Sequence, residues 1–157
     1  MKKVFQIATA IFFAAACTER TDSLSDDPEV KYYSGSALYT NAFTLEDKDI
    51  QDARVSLNLG EAMVIASVKV NGKDAGGAWT FPYRLDMGSL VKEGANTLEV
   101  RVWNNWRNRL ISDERLAPEK RLTWTNIQPW KAGDELQSSG LLGPVKVIVE
   151  KKQREVE

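Results

Sequence analysis

The residues best suited to ligand chemistry in this sequence are aromatic and polar side chains gathered in one short stretch, residues 64–86. Aromatic rings can stack on the apolar face of a sugar ring, and amide or carboxylate oxygens can accept hydrogen bonds from its hydroxyl groups. The alternative is that the aromatic residues close one end of a hydrophobic core or pack against another domain. The candidates are three aromatic residues and three acceptors: Trp79, Phe81, Tyr83, Asn71, Asp74 and Asp86.

A second group of candidates lies further along the chain, where Trp106 and Arg109 follow Trp103. Trp106 could form another stacking platform, with Arg109 as a hydrogen-bond donor beside it. We favour a structural interpretation, in which Trp103 is buried at a strand end. Arg109 would then fix the following loop through a carboxylate such as Asp113.

The composition excludes several classes of enzyme. The sequence has no histidine and a single cysteine, Cys17, so it cannot form a Ser-His-Asp triad, a His-ligated zinc site or an intramolecular disulfide. Among 22 acidic residues some pair will always be spaced for glycoside hydrolysis, so that spacing has little diagnostic value. We predict no catalytic residue, no metal-ligand motif and no required cofactor. A calcium ion held by loop carbonyl and carboxylate oxygens is compatible with this inventory.

Length and charge indicate one globular domain without a nucleic-acid partner. The chain has 157 residues, of which 43% are hydrophobic, enough for a sizeable core. Its formal net charge is −1, so it offers no concentrated basic face for nucleic acid.

The hydrophobic pattern predicts that strands position the candidate residues. From residue 66 to residue 70 apolar and polar residues alternate, which turns Ala66, Val68 and Val70 inward. Asn71-Gly72 then favours a hairpin turn, because both residues reach positive φ readily. Short alternating strands without a long helical period predict an all-β fold, an antiparallel β-sandwich or jelly roll. The other predicted strands are residues 37–44, 54–59, 83–87, 96–103 and 145–149.

One long segment, residues 104–143, lacks this alternation but contains Trp106, Trp124 and Trp130. Loops of this length are usually functional or disordered, and tryptophan residues mark segments that pack. We therefore predict a long ordered loop before the last strand, laid over one edge or end of the sandwich. Residues 88–94 are predicted to form one helical turn.

The N-terminus has the pattern of an export signal. Lys2 and Lys3 precede an apolar run that ends in three alanines before Cys17, and this run is too short to span a bilayer. Residues 1–17 therefore resemble a bacterial lipoprotein signal with Cys17 as the lipidated residue. The alternatives are an ordinary secretory signal or a misassigned start codon.

This pattern predicts where the protein resides and how the chain is divided. We expect an exported protein, held at the outer membrane or cell surface only by its lipid anchor, or otherwise periplasmic or secreted. The predicted divisions after the signal are a flexible tether at 18–31, a β-sandwich domain at 32–150 and a charged tail at 151–157.

Four blocks of the sequence together resemble a known family. They are residues 33–43 (YSGSALYTNAF), 70–87 (VNGKDAGGAWTFPYRLDM), 96–114 (NTLEVRVWNNWRNRLISDE) and 138–147 (SSGLLGPVKV). They resemble the C-terminal β-sandwich of glycoside hydrolase family 106, the α-L-rhamnosidases. They are also similar to the galactose-binding-like sugar-binding domain of family 2 glycosidases. Ser112 departs from the family pattern, which usually has glycine there.

The resemblance implies a galactose-binding-like sandwich that works on glycans outside the cytoplasm. In the resembled enzymes a large catalytic barrel precedes the sandwich and supplies the general acid and base, and none of that barrel is present in these residues. The first hypothesis is therefore a non-catalytic module that binds a rhamnose- or galactose-containing glycan. The second is an interaction domain or truncated fragment that needs a separate catalytic barrel protein, and the third, least favoured, is a small hydrolase.

Overall fold

The computed structural model describes residues 2–6 and 27–151 of the chain. Cys17, most of the expected signal and tether, and residues 152–157 of the expected tail lie outside these residues. Within the described part, no helix is long and apolar enough to cross a membrane.

Two four-stranded antiparallel sheets form a β-sandwich, which confirms the predicted fold class. In chain order the strands are β1 (Lys2–Gln6), β2 (Ser36–Leu45), β3 (Ala53–Asn58), β4 (Glu61–Met63), β5 (Ile65–Val70), β6 (Lys73–Ala78), β7 (Arg84–Asp86), β8 (Gly94–Trp103), β9 (Gly140–Gly143) and β10 (Lys146–Lys151). One sheet has the order β1-β10-β3-β7 and the other β2-β8-β5-β6, while β4 and β9 form a separate two-stranded sheet. The helices are α1 (Pro28–Lys31), α2 (Asp47–Ile50), α3 (Arg107–Asp113) and a 3-10 turn at Pro118–Lys120.

A single hydrophobic cluster draws side chains from both large sheets. The inward positions predicted for β5 are all buried, and Val68 is 0% exposed. The matching positions of β8 are buried as well, because β5 and β8 pair antiparallel with Val68 opposite Val100. Full burial of an aliphatic side chain contributes about 1.5–3 kcal/mol, so this alternation holds the two sheets together.

The predicted hairpin turn joins β5 to β6. Asn71 and Gly72 both adopt positive φ, 52° and 75°, the backbone of a type I′ turn, whose twist matches that of the flanking strands. Val70 consequently pairs with Lys73 across the turn.

Gly143, which belongs to the Gly-Leu-Leu-Gly-Pro run at residues 140–144, is in close backbone contact with Gly60. Gly143 forms an isolated parallel bridge with Gly60, and both residues have positive φ. A Cβ atom on Gly60 would lie 2.3 Å from the carbonyl carbon and oxygen of Gly143, so only glycine fits there. This contact brings the end of the short β4–β9 sheet against the start of β10.

Two elements at the N-terminal side of the described residues were not expected from the sequence. Lys2–Gln6, expected to belong to a signal peptide, lies as edge strand β1 against β10, with Val4 opposite Ile148. The last residues of the expected flexible tether form α1, where Val30 is buried and the Asp27 side chain accepts a hydrogen bond from Glu29 N at 2.9 Å.

The long segment also differs from its prediction in detail, whereas the predicted helical turn is present. Residues 104–143 are ordered as expected, but they contain α3 and β9, which the sequence pattern did not reveal. At residues 88–94 the backbone N–H groups of Leu90 and Val91 donate to Met87 O at 2.8 and 3.2 Å. The Val91 bond spans four residues, so this segment forms the single helical turn that was predicted.

Candidate functional site

The structure divides the predicted site residues between the two ends of the sandwich. Asn71 lies at the hairpin end of β6, whereas Trp79 follows the other end of that strand. A strand rises about 3.3 Å per residue, so these two residues lie about 20 Å apart. Asp86 lies at the Asn71 end, because it begins the turn that contains Leu90, and Asn71 Nδ2 donates to Leu90 O at 2.9 Å. The aromatic residues and their expected polar partners therefore do not form one site.

The Asn71 side chain connects the β5–β6 hairpin to residues 90–97 through hydrogen bonds. Its Nδ2 also donates to Oδ1 of Asn96 at 2.8 Å, and its Oδ1 accepts a hydrogen bond from Thr97 N at 3.0 Å. Asn96 is fully buried and binds the backbone of Lys92 through both its oxygen and its nitrogen. Both N–H donors of the Asn71 amide and one acceptor site of its oxygen are thus used within the fold, which favours a structural role for this residue.

The two predicted acidic acceptors are also engaged within the chain. Oδ1 of Asp86 accepts a hydrogen bond from Gly88 N and Oδ2 accepts one from Arg54 Nε, both at 2.9 Å. The Gly88 hydrogen bond, helped by Arg54 and opposed by partial burial, holds the pKa of Asp86 below its ordinary value. Asp74 Oδ1 accepts a hydrogen bond from Gly76 N at 3.0 Å.

The aromatic loop after β6 is mostly open to solvent. Trp79 is 69% exposed and Phe81 is 82% exposed, so neither closes the core. Tyr83 is half-buried and packs against the core cluster, and its carbonyl oxygen accepts a hydrogen bond from Leu59 N. Of the three aromatic residues singled out in the sequence, two remain available to a ligand.

Arg109 is a structural residue, as the favoured interpretation predicted. Its Nη2 lies 3.0 Å from Oδ1 of Asp113, whose side chain is only 2% exposed, and it also donates to Ser112 Oγ at 2.9 Å. Trp106, the other candidate of this region, is 59% exposed at the start of α3. Its carbonyl oxygen accepts the hydrogen bond of Leu110 N at 2.9 Å.

Asp113 anchors the chain that follows α3. Its Oδ2 accepts hydrogen bonds from Thr123 N at 2.8 Å and from the Thr123 hydroxyl. Burial by itself would raise the pKa of Asp113, but the hydrogen bonds from Thr123 and from the backbone of Leu122, with the nearby Arg109 charge, hold it below its ordinary value. No sequence pattern pointed to Thr123, because the contact depends on how a loop folds back.

Residues 121–130, here called the strap, run back along α3. Arg121 pairs with Glu114 at 2.7 Å, Thr123 binds Asp113, and Gln128 Nε2 donates to Leu110 O at 3.2 Å. Three apolar side chains of the strap nevertheless point into solvent, each more than 70% exposed: Leu122, Trp124 and Ile127. Arg121, Thr123 and Gln128 of the strap thus bind the protein while Leu122, Trp124 and Ile127 face outward, the reverse of the usual pattern.

Three exposed apolar side chains also lie side by side on the outer face of the β2-β8-β5-β6 sheet. Trp103 is directly opposite Ile65, and they are 40% and 48% exposed. Ala66 pairs with Ala78, the last residue of β6, so Trp79, which follows directly, is brought next to Ile65 at the end of the neighbouring strand. We call Trp79, Ile65 and Trp103 the aromatic row.

The prediction that Trp103 is buried at its strand end is wrong. Leu98, Val100 and Val102 point inward, so the period of two turns Trp103 outward. The alternation in the sequence already contained this signal. Recognition of the row as a whole needed the register between β5 and β8.

Among residues 27–151, no three or more Asp and Glu side chains are grouped so that they could hold a metal ion. The compatibility with calcium therefore stays a prediction.

Comparison with known proteins places the sandwich in a family. A family model described as the glycosyl hydrolase 2 galactose-binding domain-like domain matches residues 21–139. A putative β-glucuronidase of Formosa agariphila is 40% identical over an alignment of 155 residues. The match covers 82% of this chain and 13% of that protein.

Solved structures show the same relationship. A rhamnosidase from Novosphingobium sp. PP1Y superposes with a TM-score of 0.77 at 41% identity, covering 95% of this chain and 14% of that one. The β-D-glucuronidase of Dictyoglomus thermophilum shares the fold, with a TM-score of 0.63 at 17% identity over 96% of this chain and 28% of that one. The chain thus spans only about one seventh of the first two relatives. It belongs to the glycosyl hydrolase 2 galactose-binding domain-like family.

Proposed function

We propose that this chain is a non-catalytic, carbohydrate-associated module of the kind found in α-L-rhamnosidases of glycoside hydrolase family 106, and that it contacts glycan through the aromatic row. The observation that carries the proposal is the exposure of Trp79, Ile65 and Trp103 side by side on one sheet face. Exposed aromatic rings on a rigid face suit stacking against sugar rings. The 41% identity to the rhamnosidase over nearly the whole chain supports the narrower family assignment.

A supporting role in glycan degradation fits the chain better than catalysis of its own. The relatives named as a rhamnosidase and a putative β-glucuronidase contain most of their length outside the region matched here. The candidate polar residues Asn71, Asp86 and Arg109 serve the fold. Hydrolysis would therefore come from a catalytic portion with which the module acts.

The proposal includes export and lipid attachment at Cys17. The support is the sequence pattern alone: two lysines, an apolar run and small residues before the single cysteine. Cleavage before Cys17 would also remove β1 from its place beside β10. β10 would then become the edge of its sheet in the processed protein.

Replacing Trp79 by alanine is expected to abolish glycan binding while the melting temperature stays nearly unchanged, because the indole is mostly exposed. The measurement is a calorimetric screen of the full chain against rhamnose-containing pectic oligosaccharides and galactosides, with and without calcium. Trp124→Ala is the matched control, since it removes another mostly exposed indole, that of the strap. Glycan binding that survives in Trp79→Ala would contradict the proposed site, and a large fall in melting temperature would place Trp79 in the core.

A second candidate function is docking against a catalytic portion, and the strap is the observation that favours it. Its hydrogen bonds and ion pair to α3 hold Leu122, Trp124 and Ile127 in solvent, which removes the option of burying them locally. Exposed apolar side chains on an ordered segment are typical of surfaces that pack against another domain.

A graft into the Novosphingobium rhamnosidase would test docking. Replacing the matching 14% of that enzyme by this domain is expected to preserve rhamnosidase activity, and Trp124→Asp in the graft should lower it at least tenfold. The same substitution in the isolated chain should leave the melting temperature unchanged, because Trp124 is 83% exposed there. An active graft that is indifferent to Trp124→Asp would eliminate the strap as the docking surface.

A further inference from the structure

An exposed cation lies beside the aromatic row. Arg101 precedes Trp103 by two residues on β8, so both side chains project from the same outer face. It is directly opposite Ser67 of β5, which in turn pairs with Gly77 of β6. The sheet thus presents two adjacent lines across three strands, one apolar and one polar.

Arg101 has hydrogen-bonding capacity left over. Its Nη1 donates to Ser36 Oγ at 3.3 Å, and no described carboxylate forms an ion pair with it. The nearest acidic residue along β8 on this face is Glu99, which is opposite Lys69 in the register of β5 and β8. A guanidinium has five N–H donors, so a single long hydrogen bond leaves most of them for a ligand.

On the outer face of the sheet, the backbone next to Trp79 is not covered by a side chain at position 77. Gly77 has no side chain on the polar line, and a Cβ atom there would come within 3.1 Å of Ala66 O. Gly76, with positive φ, precedes it in the strand. A ligand laid across β6 therefore meets the backbone between the exposed Trp79 indole and the Ser67 hydroxyl.

We propose that this face binds a carboxylate-bearing oligosaccharide, in which a uronic acid residue pairs with Arg101 while sugar rings stack along the aromatic row. The proposal rests on the proposed function and deepens it by naming the class of glycan. Arginine recognises a carboxylate through two parallel, charge-assisted N–H···O bonds, whereas a neutral sugar offers only uncharged hydroxyl acceptors. Neighbouring strands are about 4.8 Å apart, so the row extends about 10 Å, enough for two linked sugar rings.

The test compares the binding of two ligands to the unmodified chain and to the Arg101→Gln variant. An oligogalacturonide and the same oligosaccharide with its carboxyl groups reduced to alcohols are titrated into the full chain by calorimetry. The unmodified chain should prefer the oligogalacturonide, and Arg101→Gln should weaken that binding about 10- to 100-fold without changing the affinity for the reduced ligand. Arg54→Gln is the control, because Arg54 is an exposed arginine on the other large sheet.

The alternative results separate this inference from the proposed function. Equal affinity for both ligands, unaffected by Arg101→Gln but lost in Trp79→Ala, would overturn the uronate site and leave glycan binding intact. Equal losses in Arg101→Gln and Arg54→Gln would also overturn it, because the effect would then be one of net charge. Absence of binding to either ligand would overturn both the inference and glycan contact by the aromatic row.

Discussion

Replacing Val68 by aspartate is expected to prevent the chain from folding. Val68 is 0% exposed at the centre of β5, between the paired strands β8 and β6. An unpaired carboxylate buried there would cost several kcal/mol, a large share of the 5–15 kcal/mol by which a domain of this size is usually stable. The expected result is an insoluble protein or one without a cooperative melting transition by circular dichroism.

Ile65→Asp on the same strand is the matched control for this prediction. Ile65 faces outward and is 48% exposed, so the same charge three residues away should change the free energy of unfolding by less than about 1 kcal/mol. The pair of variants tests the register directly, since a shift of one residue would exchange the two faces. A soluble Val68→Asp protein with a cooperative transition would contradict the sandwich described above.

Replacing Asp113 by alanine is expected to lower the free energy of unfolding by about 3 kcal/mol. The substitution leaves the largely buried Arg109 guanidinium without its ion-pair partner and removes the acceptor for Thr123. The strap should then detach locally, which hydrogen exchange at Thr123 N would report. Glu114→Ala is the control, because Glu114 pairs with Arg121 in a more exposed position and should contribute only about 0–1 kcal/mol.

The contribution of Asp113 should depend on pH in a defined direction. Its pKa is lower in the folded protein than its ordinary value near 4, so its stabilisation is present above that value and is lost as the pH falls through the folded-state pKa. The difference in unfolding free energy between the unmodified chain and Asp113→Ala should therefore shrink in acid denaturation series. A difference that stays constant from pH 7 down to pH 2, or that equals the effect of Glu114→Ala, would contradict the assigned network.

The strands could be predicted from the sequence because they are determined by residues that are close together in the chain. Alternation of apolar and polar residues identified the inward face of β5 and located β3 and β8, and Asn71-Gly72 identified the hairpin turn. Both signals depend only on the period of two and on the φ preferences of single residues.

The contacts between distant segments could not be predicted in this way. Asn96 and Asp113 are buried polar residues whose partners, Asn71 and Thr123, come from loops that the strand pattern does not align. The seven-residue helix α3 is too short to show a helical hydrophobic period. Trp103 was misjudged for a different reason, since its outward direction followed from the alternation while its hydrophobicity favoured burial.

The candidate site changed most between sequence and structure. Chain proximity had grouped Trp79 with Asn71 and Asp86, but the six residues of β6 separate Trp79 from Asn71. The register instead places Ile65 opposite Trp103 and ends β6 beside them, one residue before Trp79. A binding face of this kind depends on pairing between strands, which one sequence does not reveal.

The most direct test of glycan contact is to follow the five tryptophan indole N–H signals by NMR while an oligogalacturonide is added to the full chain. Single Trp→Phe variants assign the signals. The signals of Trp79 and Trp103 should shift in a saturable manner, while that of Trp124 on the strap stays in place. Shifts confined to Trp124, or no shift in any indole signal, would contradict the account.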